Sequence, residues 1–220
     1  MKRRALNSRE RILEAAVQVF GRRGYRAATI REICKAAGVG VASVNYYFRN
    51  KESLYLAILE SLIRDGFEKY PMDQGVDAKA PLPVRLRVFI RSFLLRMAGD
   101  RSLPGGAERS LLLAREIAEP SPAMNALVER YLKTQKDYLI TIVKKLLGPR
   151  AAIERVHLCA LSIVGQCLQY VYAWRMIERM GVSPGWDEAA MERVARHIAQ
   201  FSLGGIGRVK KDRAFRDRTI

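Results

Sequence analysis

The chain is short of histidine, cysteine and acid, and each shortage narrows its function. Its two histidines, His157 and His197, lie far apart, and no nucleotide-binding or Ser-His-Asp pattern accompanies them. Gly38-Val-Gly40 is not a phosphate loop, because no strand precedes it and Ser43 stands where the final glycine of that fingerprint belongs. An enzyme is therefore disfavoured, and nothing implies a metal or an organic cofactor. Three cysteines, Cys34, Cys159 and Cys167, show no metal-ligand spacing. A sparse, odd count without a secretory signal points to a reduced cytoplasm. Cys159 and Cys167 are separated by about 12 Å of helical rise, too far to bridge, so the thiols are read as small buried apolar groups. Long hydrophobic runs are missing too: Leu158 to Trp174 is interrupted by Gln166 and Gln169 and falls short of the roughly 20 residues that span a bilayer. Met1 to Leu6 is basic without a signal peptide's apolar stretch. A protein without a membrane partner is expected.

The shortage of acid leaves 39 Lys plus Arg against 22 Asp plus Glu, a formal charge of +17. Such an excess favours a polyanionic partner. From Met1 to Lys51 the basic residues are Lys2, Arg3, Arg4, Arg9, Arg11, Arg22, Arg23, Arg26, Arg31, Lys35, Arg49 and Lys51, opposed by Glu10, Glu14 and Glu32 alone. A second basic knot runs from Arg208 to Arg218.

No Asn-Gly or Asp-Gly hairpin signal separates alternating runs, whereas apolar residues recur at helical spacing nearly throughout, so the chain reads as all-α with about nine helices. Asn7 with Glu10 opens a first helix as a capping box, its stripe Ile12, Leu13, Ala16, Val17 and Phe20 facing inward and Gly21 and Gly24 ending it. Thr29 with Glu32 opens a second, short helix that stops before Gly38. A third runs from Val41 to Phe48, and Asn50 caps a fourth that reaches Lys69. Tyr70 to Pro83 is the boundary candidate. Helices follow near 84–98, 106–118, 122–147, 150–180 and 187–203, with Ser121-Pro122 as N-cap and first position of the third of these. The expected division is a head over 1–51, the fourth helix (50–69) as link, a body over 70–206 and a basic tail over 207–220.

Two short helices joined by a three-residue glycine turn in a strongly basic region form a helix-turn-helix pattern. Val44 and Phe48, four apart, should face the head's core, leaving Val41, Ala42, Ser43, Asn45, Tyr46 and Tyr47 outward. The segments Arg11-Ile-Leu-Glu-Ala-Ala16, Phe20, Gly24-Tyr25, Thr29-Ile-Arg-Glu-Ile33, Ala37-Gly-Val39 and Tyr46-Tyr-Phe-Arg-Asn-Lys-Glu-Ser-Leu54 closely resemble the TetR family of bacterial repressors. Arg115-Glu116 before Glu119-Pro-Ser-Pro122, and His197-Ile-Ala-Gln-Phe-Ser-Leu-Gly-Gly-Ile206, resemble the C-terminal domain of CecR-like members.

The resemblance implies a homodimer that reads a palindromic double-stranded DNA operator in the cytoplasm, associated with the nucleoid through that DNA, and is released by a small-molecule effector. It assigns DNA contact to Thr29, Arg31, Ser43, Asn45, Tyr46, Tyr47 and Lys51, to which the outward-facing Val41 and Ala42 are added. Two positions depart from the family: Gly40 replaces the usual Ser-like cap, and Asn45 stands where a tyrosine is common. Asparagine can pair bidentately with adenine, which would shift operator preference.

In the body, polar or aromatic residues set in apolar stripes are candidates for the effector pocket: Phe89, Phe93, Glu116, Tyr131, Gln135, Tyr138, Gln166, Tyr170 and Trp174. Arg115 and Glu116 can alternatively form an internal ion pair. Leu158, Leu161, Ile198, Phe201 and Leu203 are the candidate dimer contacts, on last helices that the resemblance implies build a four-helix bundle across the two-fold axis. The charge also admits an architectural protein that coats DNA without sequence preference or a ligand switch, marked by flat affinity and a steep salt slope.

Overall fold

Local capping sets the first helices, as their sequence requires. In the computed structural model, which describes residues 7–98 and 106–212, helix α1 spans Ser8–Ala27 and α2 spans Ile30–Ala37. Asn7 Oδ1 accepts the Glu10 amide at 3.0 Å while Glu10 accepts the Asn7 amide at 2.9 Å, and Thr29 and Glu32 reciprocate in the same way for α2. α1 continues past Gly21 and breaks its helical geometry only at Gly24, whose φ of 76° suits a residue without Cβ. Helices α3 (Val41–Phe48) and α4 (Lys51–Lys69) follow. Then come α5 (Leu82–Ala98), α6 (Gly106–Ala118), the single turn α7 (Met124–Leu127), a π-helical turn (Val128–Leu132) and α8 (Lys133–Leu147). Finally α9 spans Ile153–Tyr172, α10 Trp174–Arg179 and α11 Glu188–Lys211. Every regular element among the described residues is helical, as expected, and nine helices have at least eight residues. No helix of these residues is long and apolar enough to cross a membrane.

Three boundaries differ from expectation. Ser121 does not cap a helix at 122: its amide and hydroxyl donate to Glu116, at 2.9 and 2.7 Å, which turns the hydroxyl toward that carboxylate, and regular helix resumes only at Met124. The expected helix over 150–180 bends at Ala173 (φ −94°, ψ 8°) into α9 and α10. The last helix passes through Gly204, Gly205 and Gly207 to Lys211, so the expected tail begins as helix. Glycine costs about 1 kcal/mol per helical position relative to alanine, but buried Ile206 holds the last turns to the core.

Two compact units result, and they do not follow chain order. The first comprises 7–68 with 106–131 and the second 69–98 with 132–212. The segment 106–131, expected in the body, thus belongs with the head: Leu112, Ala123 and Leu127 share one buried cluster with Ile12, Phe20, Ile33, Val44, Phe48, Leu54 and Ile58. α6 lies so close to α1 that a Cβ on Gly21 would meet the Glu108 carbonyl oxygen at 2.8 Å. Arg115 on α6 donates to the Arg22 carbonyl at 3.1 Å instead of pairing with Glu116. In the second unit α5, α8, α9 and α11 bury Leu86, Phe89, Ile90, Leu94, Ile142, Val143, Val156, Ile163, Cys167 and Ile198. Arg87 and Arg91 on α5 pair with Glu192 and Glu188 on α11 at 3.0 to 3.3 Å. All three cysteines are free thiols, and burial pushes that of Cys167 up to about 12.

Candidate nucleic-acid interface

α3 is held by two side chains and exposes most of the rest. Val44 and Phe48 are buried, as their spacing requires, and the Arg9 guanidinium sits 5.4 Å over the Phe48 ring, tying α3 to α1. Val41, Ala42, Asn45, Tyr46 and Tyr47 are exposed, with Tyr46 at 83%, while Ser43 is half-buried. The Tyr46 and Tyr47 rings meet edge to face, 5.0 Å apart, which orders two large amphipathic groups on the outward surface. Gly40 provides no side-chain cap, leaving the first amides of α3 without a side-chain acceptor. Gly38, at φ 63°, is the left-handed turn that aims α3 away from α2.

The remaining predicted contacts lie in the same unit. Arg31 is exposed in the first turn of α2. Thr29 is exposed but committed: its hydroxyl accepts the Glu32 amide and donates to Glu32 Oε2. Those bonds, first the backbone and then the hydroxyl, hold the Glu32 carboxyl below its ordinary range, with Arg23 at 2.8 Å adding to the effect. Lys51 Nζ donates to the Arg26 carbonyl at 3.2 Å and lies 4.8 Å from the centre of the Tyr25 ring, so it stiffens the junction of α1 with α4 at the basic surface. Arg49 escaped sequence reasoning. Its φ of 66° closes α3, a positive value for a non-glycine residue that no motif announces.

The effector candidates are divided between the two units. Glu116 and Tyr131 belong to the first unit: Glu116 accepts three bonds from Tyr55 and Ser121, and Tyr131 stacks on Phe67 at 6.2 Å. In the second unit Phe89 stacks on Tyr138 at 5.9 Å and neighbours Phe93 at 6.4 Å, while Gln135 accepts from Arg96 at 2.7 Å. These four gather where α5 meets α8. Gln166 bridges to Ser202 on α11, Tyr170 packs at the edge of the core, and Trp174 meets Trp186 edge to face. A groove on α8 lined by Asp137, Ile140, Thr141, Lys144, Lys145 and Pro149 includes none of the nine. Of the dimer candidates, Leu158, Leu161 and Phe201 are exposed at 49, 66 and 68%. Leu203 is half-buried. Ile198 is corrected: at 2% exposure it fills its own chain's core and offers no face to a partner.

A family model described as "Bacterial regulatory proteins, tetR family" matches residues 12–58, and one described as "HTH-type transcriptional dual regulator CecR, C-terminal domain" matches residues 82–206. The chain is 33% identical to the HTH-type transcriptional regulator RutR of Escherichia coli over 92% of both chains. It is 27% identical to the fatty acid metabolism regulator protein of Bacillus subtilis, over 55% of this chain and 60% of that relative's length. In fold it resembles FadR of Bacillus subtilis, solved in complex with stearoyl-CoA, with a TM-score of 0.65 at 20% identity over 89% of this chain and 97% of that one. It also resembles AibR, solved in complex with isovaleryl coenzyme A and operator DNA, with a TM-score of 0.62 at 22% identity over 90% of this chain and 97% of that one.

Proposed function

The chain belongs to the TetR family of bacterial transcriptional regulators, and on that premise we propose that it is a homodimeric repressor, released from a palindromic operator by a small-molecule effector. The observation that carries the DNA-reading half is the division of α3, with Val44 and Phe48 anchored inward and Asn45, Tyr46 and Tyr47 presented outward. In this reading Val41, Ala42, Ser43, Asn45, Tyr46 and Tyr47 meet base edges and sugar-phosphate in the major groove. Thr29, Arg31 and Lys51 hold the head in register on phosphate, and the uncapped start of α3 offers amides to the same backbone. Leu158, Leu161 and Phe201 on α9 and α11 supply an apolar face for a second copy, which sets two recognition helices at the fixed separation a palindrome requires.

The effector is taken by the second unit. The relatives' bound molecules, stearoyl-CoA in FadR and isovaleryl coenzyme A in AibR, make an acyl thioester or a related acid the first class to try. A sequence-independent DNA coat is the competing function. Selection of bound sequences from a random DNA pool at physiological salt separates the two. A palindromic consensus is expected; a pool that stays random while the protein remains bound would overturn the operator-reading function.

A further inference from the structure

One face of α5 is chemically out of place in a core. Arg85, Phe89, Ser92 and Arg96 follow one another at intervals of four, three and four, so all four lie on one helical stripe. That stripe meets Gln135 and Tyr138 of α8. Arg85 is 7% exposed; it donates to the Ala78 carbonyl, 3.0 Å from Nη1, and lies 5.2 Å over the face of the Tyr138 ring. No carboxylate pairs with it among the described residues, and its Nε has no hydrogen-bond partner. Ser92, fully buried, likewise leaves its hydroxyl without a partner. Further along, Arg96 gives two short bonds, 2.6 and 2.7 Å, to the Tyr70 carbonyl and Gln135, and burial lowers its guanidinium to about 10.

A buried cation compensated only by neutral dipoles, beside a buried orphan hydroxyl, costs stability that an apolar residue would not. The neighbouring turns of α5 are filled with leucine, isoleucine and phenylalanine, so the fold itself does not call for charge there. We propose that the seam between α5 and α8 seats an amphipathic anion whose carboxylate or phosphate pairs with the guanidinium of Arg85 and whose apolar part lies along Phe89 and Tyr138. Ser92, about 10 Å further along the helix, gives its hydroxyl to a polar atom of the same molecule. This rests on the effector reading and assigns its ligand's anionic group to Arg85 and its apolar part to Phe89 and Tyr138.

The test is calorimetric titration of the full-length protein, without DNA, using decanoate, decyl phosphate and decanol. Wild type is expected to bind one or both anions at least tenfold more tightly than decanol, the better of the two identifying a carboxylate or a phosphate source. Arg85→Gln is expected to weaken anion binding by roughly tenfold or more, as loss of a charge-assisted hydrogen bond does. Arg85→Lys should retain part of it, and exposed Arg150→Gln should change nothing. Thermal melting of each variant shows that the fold survives. Decanol binding as tightly as the anions, no binding of either anion, or undiminished anion binding by Arg85→Gln would overturn the proposal. Anion binding that leaves DNA affinity unchanged would sink the release mechanism and leave the site standing. A compound that releases DNA equally from wild type and Arg85→Gln would do the reverse.

Discussion

The phenol of Tyr55 on α4 donates a 2.8 Å hydrogen bond to the carboxylate of Glu116 on α6, in the buried interior of the first unit. Around it, Tyr55 packs edge-on to Phe20 at 4.9 Å and against Tyr25 at 4.7 Å, and Glu116 takes two further bonds from Ser121. Burial, then the hydrogen bond and negative charge of Glu116, drive the phenol well above its ordinary value, so it stays a donor at any physiological pH. The interaction joins the helix that follows the recognition element to one 61 residues further along the chain.

Tyr55→Phe removes the donor while keeping the ring. A loss of about 1–2 kcal/mol in unfolding free energy by urea denaturation is expected, because Glu116 keeps its two bonds to Ser121. An unchanged midpoint would mean that the bond contributes nothing net.

Gly21→Ala tests the approach of α1 to α6. The new methyl would stand 2.8 Å from a backbone carbonyl, which cannot turn aside as a side chain can. The helices must separate, at about 1–3 kcal/mol. Thermal melting reads this directly, and Gly40→Ala, where nothing lies within 4 Å, is the matched control.

Tyr46→Ala should lower operator affinity about tenfold or more with no change in melting temperature, since the ring is 83% exposed and supports no core. Asn45→Ala should relax the preferred base at one position in each half-site, by about 1–3 kcal/mol if the amide pairs with adenine. Fluorescence anisotropy with the selected operator and its single-base variants measures both.

Acid should loosen α2. The Glu32 carboxyl is held below its ordinary value near 4.5 by the Thr29 bonds, so the unfolded chain takes up its proton more readily than the folded one. The capping contribution is therefore full above that ordinary value and is lost as pH falls through the lower, folded one. Against Glu32→Gln, wild type should be more stable near neutrality and lose its advantage below about pH 4. A constant difference across that range would refute the assignment.

Leu161→Glu should shift a dimer toward monomer in light scattering, since the leucine is 66% exposed on the proposed partner face of α9. Retention of the wild-type mass at micromolar concentration would move the interface elsewhere.

Local rules were enough for the head. The boxes Asn7-Glu10 and Thr29-Glu32, the turn at Gly38 and the four-residue spacing of Val44 and Phe48 all act within a few residues, so the sequence by itself determined the helices, the inward pair and the outward set. Other features needed the tertiary structure. Ser121 reads as a cap, but its amide and hydroxyl donate to a carboxylate five residues earlier, which turns the hydroxyl toward Glu116. Glycines at 204, 205 and 207 read as a stop, but the packing of Ile206 carries the helix past them. Ile198 reads as an interface residue, because an apolar stripe does not say whether its own chain or another covers it. Arg85 and Ser92 carry no signal of their own in the sequence. Their burial, with Arg85 Nε and the Ser92 hydroxyl left without a hydrogen-bond partner, depends on where α8 lies, and that is decided by contacts between residues some fifty positions apart. Periodicity fixes which residues share a face, and only packing at long range decides what that face meets.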